Sequence, residues 1–123
     1  MDVATSTLRI DKRRVDDVTV LDLTGHITLD DGHLVCRKKV DALLDVGRRT
    51  LLLNLAGVTR VDSAAVGILA AKIKTVRERG GNITLLNLTS RSARLFGVMK
   101  ILLVFKSFDD EATAVRSFAV SVL

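Results

Sequence analysis

Thr50-Leu51-Leu52-Leu53-Asn54-Leu55 is followed, across a short polar stretch, by Val61-Asp62-Ser63-Ala64-Ala65-Val66-Gly67. The first run is too short for a helix and apolar at almost every position, the pattern of a parallel strand covered on both faces. The second reads as a helix start. Asp62 is placed to cap it by accepting a backbone N–H from Ala64 or Ala65, and Ser63 is the first helical residue. Val66, Leu69, Ile73 and Val76 then keep the helical period until Gly80-Gly81 ends it. Ile83-Thr84-Leu85-Leu86-Asn87-Leu88 repeats the strand pattern, so the middle of the chain is a β-α-β unit.

Working outward, Leu8 to Lys12 and Val18 to Leu23 are β-rich runs separated by polar Arg13 to Asp17, which predicts a hairpin. Thr24 to Gly32 is rich in turn formers and predicts a loop, with Asp30 or Asp31 capping the next helix. In that helix Cys36, Val40, Leu43 and Leu44 share one face, and Gly47 sits at its end. Downstream, Ser90 is placed to cap a short helix carrying Leu95, Phe96 and Met99 inward. A brief strand is expected near Val104-Phe105, and a last helix from about Asp109 to Val122. The order β-β-α-β-α-β-α-β-α implies one α/β domain over residues 1–123, with its core at about 8–120. That order implies a largely parallel sheet with helices packed on it.

Composition bounds the function. The 123 residues carry a net charge of +5, with 48% apolar and 27% charged residues, an ordinary globular balance. No run approaches the roughly 20 apolar residues of a membrane span, so no membrane insertion is expected. The residues from Met1 lack the basic start and apolar stretch of a signal peptide, and a lone Cys36 cannot staple a secreted fold. The expected compartment is the cytoplasm. The basic residues are spread along helix faces and ends, and the absence of Tyr and Trp removes the usual base-stacking platform, so no direct nucleic-acid partner is expected.

His26, His33, Asp30, Asp31 and Cys36 lie within one stretch, yet Cys36 belongs to the apolar stripe, and neither a metal nor another cofactor is expected. A Ser-His-Asp set can be written from Ser63, His26 or His33, and Asp62, but Gly-x-Ser-x-Gly, Gly-x-Gly-x-x-Gly and Walker-type loops are all missing. The chain reads as a binding module, not an enzyme. The loops Thr24 to Gly32, Ala56 to Asp62 and Asn87 to Ser90 should converge at the carboxyl ends of the strands, where open α/β sheets place their sites.

The stretch Leu53 to Gly67 resembles the signature of STAS domains, in which Asp-Ser-(Ser/Thr/Ala)-Gly-Leu-Gly follows a buried strand. The Gly25 to Asp31 loop, the Gly80-Gly81 pair before a Leu-Leu strand, and Phe105 to Ala112 are similar to further family patterns, and the resemblance spans about Leu8 to Phe118. It implies a STAS-like fold, a small mixed and mostly parallel β-sheet with four helices mainly on one side, and the function of an anti-sigma factor antagonist. Dephosphorylated at Ser63, such a protein sequesters an anti-sigma factor serine kinase and frees a sigma factor; a phosphatase acting on Ser63 resets it. The partner-binding residues it implies are Asp62, Ser63, Ala64, Ala65 and Val66 at the helix start. To these it adds Gly25, His26, Thr28 and Asp30 from the first loop, with Thr59 and Arg60 from the second. Ala65 replaces the family's usual Gly, and its methyl is expected to narrow the space around Ser63. Alternatives are the STAS subunit of a lipid-transport ABC ATPase and a nucleotide-binding regulatory STAS domain.

Overall fold

The computed structural model describes residues 8–29, 32–88, 94 and 106–120. Strands β1 (Leu8–Val15) and β2 (Val18–Ile27) form the expected antiparallel hairpin, in register from Leu8 opposite Gly25 to Val15 opposite Val18. The polar Arg13 to Asp17 stretch is mostly strand, and the turn is Asp16-Asp17 alone, with Asp16 at φ 53°. Asp tolerates that left-handed conformation better than most residues. Helix α1 (Gly32–Asp45), strand β3 (Thr50–Val61), helix α2 (Ser63–Glu78) and strand β4 (Asn82–Leu86) follow. A two-residue strand β5 (Ser107–Phe108) and helix α3 (Glu111–Val120) come last. Among the described residues the sheet has five strands in the order β1-β2-β3-β4-β5, and every pairing after the hairpin is parallel.

Both faces of the sheet are covered, which explains the unbroken apolar runs. On one face Leu21, Leu23, Leu51, Leu53, Leu55, Ile83 and Leu85 meet Cys36, Val40, Leu43 and Leu44 of α1 and Val66, Leu69, Ile73 and Val76 of α2. On the other, Val18, Val20, Leu52 and Leu86 meet Ala114, Val115 and Phe118 of α3. Of the three described helices, two therefore share a side. The helix expected after Ser90 and the strand near Val104-Phe105 lie outside the described residues, apart from Arg94. The final helix begins at Glu111, where Asp110 caps it through the N–H and hydroxyl of Thr113 (2.9 and 2.8 Å).

The Ala56 to Asp62 stretch, expected as loop, is instead strand up to Val61, and the first half of the Thr24 to Gly32 loop continues β2 to Ile27. The cause lies in pairing. Beyond Asp22 opposite Asn54 the register shifts twice, so that Thr24 faces Gly57 and His26 faces Arg60. β3 thus carries extra residues against β2, the arrangement of a bulge, which bends a strand without ending it. A side chain at Gly57 would place its Cβ 2.8 Å from the Leu23 carbonyl oxygen. Gly57→Val should accordingly cost about 1–3 kcal/mol by forcing the two backbones apart. Chemical denaturation of the variant checks this.

Candidate functional site

The carboxyl ends of β2 and β3 and the amino ends of α1 and α2 meet at one end of the molecule, and Asp62 joins them. Its backbone is extended (φ −109°, ψ 161°), and its carbonyl accepts the first helical bond from the Val66 N–H at 3.1 Å. One carboxylate oxygen accepts the Ala65 N–H at 2.8 Å, making Asp62 the N-cap, with Ala65 rather than Ala64 as donor. The other accepts the Leu29 N–H at 2.9 Å. The Asp62 N–H in turn donates to the Ile27 carbonyl at 3.3 Å. A single side chain thus fastens the β2–α1 connection to the start of α2.

Ser63 and Ala64 follow directly and are exposed. Ala65 and Val66, expected at the docking surface, are both 0% exposed and belong to the core. The Ala65 methyl therefore packs inward beneath the helix and leaves the space around the Ser63 hydroxyl open. The reason is geometric: one residue along a helix is a turn of 100°, so the third and fourth positions of α2 face the sheet when the first two face water.

Of the first loop, Gly25 and His26 are half-buried and Thr28 is buried. Asp30 lies outside the described residues. Thr59 and Arg60 are exposed on the bulged part of β3, and the Thr59 hydroxyl donates to the Gly25 carbonyl at 3.4 Å. His26 stands opposite Arg60. The bulge thereby brings Gly25, His26, Thr59 and Arg60 alongside the Asp62-Ser63 junction. At the third loop, Asn87 has φ 58°, donates its backbone N–H to the Phe108 carbonyl at 2.9 Å, and donates its side-chain amide to Asn54 at 3.1 Å. Ser90 lies outside the described residues.

Two leucines that the sequence pattern did not single out belong to this end. Leu29, whose N–H holds the Asp62 carboxylate, is 53% exposed, and Leu34 in the first turn of α1 is 41% exposed. Their only sequence signal was an apolar residue falling off the stripe formed by Cys36, Val40 and Leu43. Thr28 Oγ and His33 Nδ1 are buried without a hydrogen-bond partner among the described residues.

The chemistry available is that of an exposed hydroxyl beside a cap that fastens two chain segments. Both Asp62 oxygens are engaged by backbone N–H groups, so Asp62 does not orient His26 or His33 toward Ser63. Cys36 is fully buried, and burial pushes its thiol up to about 12. The Leu29 N–H first, and the Ala65 N–H next, hold the Asp62 carboxyl below the usual carboxylate range, with Arg60 and His33 acting in the same direction against burial.

These features define a small α/β domain with an exposed serine at a strand-to-helix junction. The chain belongs to the STAS domain family: the family model described as "Mlab, STAS domain" matches residues 10–102. A protein of Thermotoga neapolitana, whose name gives it provisionally as an anti-sigma factor antagonist, is 26% identical over 102 residues, covering 83% of this chain and 90% of the relative. An anti-sigma factor antagonist from Mycobacterium paratuberculosis superposes with TM-score 0.78 at 15% identity, over 89% of this chain and 92% of that one. The unphosphorylated form of the anti-sigma factor antagonist SpoIIAA superposes with TM-score 0.72 at 18% identity, over 90% and 97%. Its phosphorylated form, from Bacillus, gives 0.67 at 18%, over 89% and 99%.

Asp62→Ala should cost about 0.5–2 kcal/mol through loss of the cap, measured by denaturant unfolding. The pH dependence follows from the lowered carboxyl. The stabilisation is complete above the unfolded value of about 4 and is lost as pH falls through the lower folded value. Asp62→Asn, which keeps an acceptor but cannot ionise, should flatten the acid limb of the stability profile below about pH 4.

Proposed function

We propose that this chain is an anti-sigma factor antagonist whose docking face is the end of the sheet bearing Ser63, and that Ser63 is its phosphorylation switch. The observation that carries the reading is the exposure of Ser63 immediately after a cap that immobilises two chain segments. Similarity to antagonists over nearly the whole chain supports it. In this reading the unphosphorylated face, with Leu29, Leu34, Thr59 and Arg60 around Ser63, binds an anti-sigma factor that is also a serine kinase and so releases a sigma factor. A phosphatase restores the hydroxyl.

The switch has a simple physical basis. A phosphate adds roughly −1.5 to −2 charges at pH 7. On Ser63 it sits at the amino end of α2, whose first turn holds no acidic residue, and near Arg60, so the domain tolerates it. The penalty falls on the interface, where the dianion beside Asp62 must shed water against a surface shaped for a hydroxyl. The alternative is a STAS subunit docked on the nucleotide-binding subunit of a lipid-transport ABC ATPase. The exposed Leu29 and Leu34 serve that contact equally well, without any phosphate.

Incubation with the cognate kinase and ATP should add one phosphate that mass spectrometry places on Ser63, and Ser63→Ala should abolish it. Equal incorporation in the variant moves the switch elsewhere, with Ser90 and Ser92 next in line. Ser63→Asp should weaken partner binding at least about tenfold, or about 1.4 kcal/mol. Its melting curve should barely move, since the roughly 0.3–1 kcal/mol gained from the helix dipole is offset by repulsion from Asp62. Calorimetric titration beside thermal melts reads both quantities. Undiminished affinity with a normal melt would place Ser63 outside the interface.

A further inference from the structure

Thr19 interrupts the apolar start of β2 between Val18 and Val20, and it is only 4% exposed. No hydrogen bond to its hydroxyl is present among the described residues. A hydroxyl withdrawn from water without a partner costs free energy, so an apolar residue would serve the fold better at this position. Thr19 instead lines a hollow of about 260 Å³ together with Lys12, Arg13, Arg14 and Arg48. Arg14 lies directly opposite Thr19, and Lys12 opposite Leu21, whose side chain packs in the core shared with α1. Lys12, Arg14 and Thr19 therefore project to the same face of the sheet. Arg48, just beyond the end of α1, reaches the hollow from the helix side. Arg13 stands opposite Val20 on the α3 face, where Asp22 and Glu111 take its guanidinium.

Three cations thus surround a sequestered hydroxyl, and little nearby neutralises them. Among the described residues Lys12 and Arg48 have no acidic partner, and Arg14 has only Asp17 at 3.7 Å, itself fully exposed. The Arg14 Nε donates to the Asp16 carbonyl at 3.2 Å, which steadies the guanidinium. The acids of α1 are turned away, Asp41 to Lys72 and Asp45 to Arg79. Carbonyls at the end of α1 would repel an anion if free, but those of Leu43 and Leu44 accept from the N–H groups of Val46, Gly47 and Arg48. Cations that served only solubility would stand interspersed with acids on open surface. Here they gather over a residue that is withdrawn from water.

We propose that Lys12, Arg14, Thr19 and Arg48 form a binding site for a small, free phosphate compound carrying two or more charges. The site lies at the amino ends of β2 and β3, at the opposite end of the sheet from Ser63. The guanidinium forks of Arg14 and Arg48 take phosphate oxygens in pairs, and the Lys12 ammonium adds a point charge. The Thr19 hydroxyl donates to an oxygen that enters the hollow, which gives it the partner the fold withholds. A singly charged carboxylate would leave most of this positive charge unmet. No aromatic or aliphatic residue is among the described residues lining the hollow, so nothing there holds a base or an acyl chain. Recognition rests on the phosphate itself.

The test uses the full chain in about 0.15 M salt, with pyrophosphate as the probe, read by calorimetric titration and amide shift mapping. Saturable binding is expected, at least about tenfold tighter than that of acetate at equal ionic strength, with shifts centred on Lys12, Arg14, Thr19 and Arg48. The double variant Arg14→Gln/Arg48→Gln should weaken it at least about tenfold. Thr19→Val, which keeps the shape and removes the hydroxyl, should weaken it at least about threefold. Lys74→Gln on α2 should leave it unchanged. Should a variant melt abnormally, the shift map of the wild-type protein decides. The proposal is overturned by the lack of saturable binding, by equal affinity for acetate, or by shifts centred on the amino end of α2. Unaltered affinity in either normally folded variant overturns it too, as does binding of phosphatidic acid vesicles but not of pyrophosphate.

Discussion

The two carboxylate oxygens of Asp62 reach in different directions, to Ala65 within α2 and to Leu29 in the connection before α1. Each bond satisfies a backbone N–H that would otherwise end a chain segment unpaired. Because both are made by one rigid side chain, the start of α2 and the exit of β2 cannot move independently. Ser63 is therefore held in a fixed relation to Leu29, Thr59 and Arg60. A surface residue on a mobile loop would lose ordering entropy in any contact it made, whereas Ser63 is already held in place.

Beneath that junction the sheet is stiffened by both of its faces. The α1 and α2 side is almost purely apolar, whereas the α3 side also carries a polar chain across the strands. Arg13 on β1 donates to Asp22 on β2 at 2.6 Å and also to Glu111 at the start of α3. Asn54 on β3 donates to the same Asp22 at 2.8 Å, and Asn87 donates to Asn54 at 3.1 Å. The Arg13 hydrogen bonds hold the carboxyls of Asp22 and Glu111 below their ordinary range and raise the Arg13 guanidinium further. The ladder links α3 to the hairpin and orders Asn87 at the third loop. Each member is partnered, which is what makes a half-buried polar chain tolerable.

The charge distribution follows the same division of labour. Acidic residues of α1 are spent on neighbouring cations of α2, and those of the sheet on Arg9 and Arg13. Lys12, Arg13, Arg14 and Arg48 gather around Thr19. The Ser63 end has a different character, with exposed leucines beside a single helix amino end.

Much of this was legible in local pattern. The helical period of Cys36, Val40, Leu43 and Leu44, the two-sided strand around Leu51 to Leu55, the hairpin, and the Asp62 cap all depend on residues near one another in sequence. What only the tertiary structure decided depends on partners far away. The extension of β3 to Val61 required the double register shift against β2, which no property of Ala56 to Arg60 alone encodes. The inward turn of Ala65 and Val66 followed from the side of the sheet on which α2 lay. The second bond of Asp62, to Leu29, joins residues 33 apart in the chain. The pairing of Asp41 with Lys72 appeared only once α1 and α2 had packed together, because a charge in a sequence has no partner until folding supplies one.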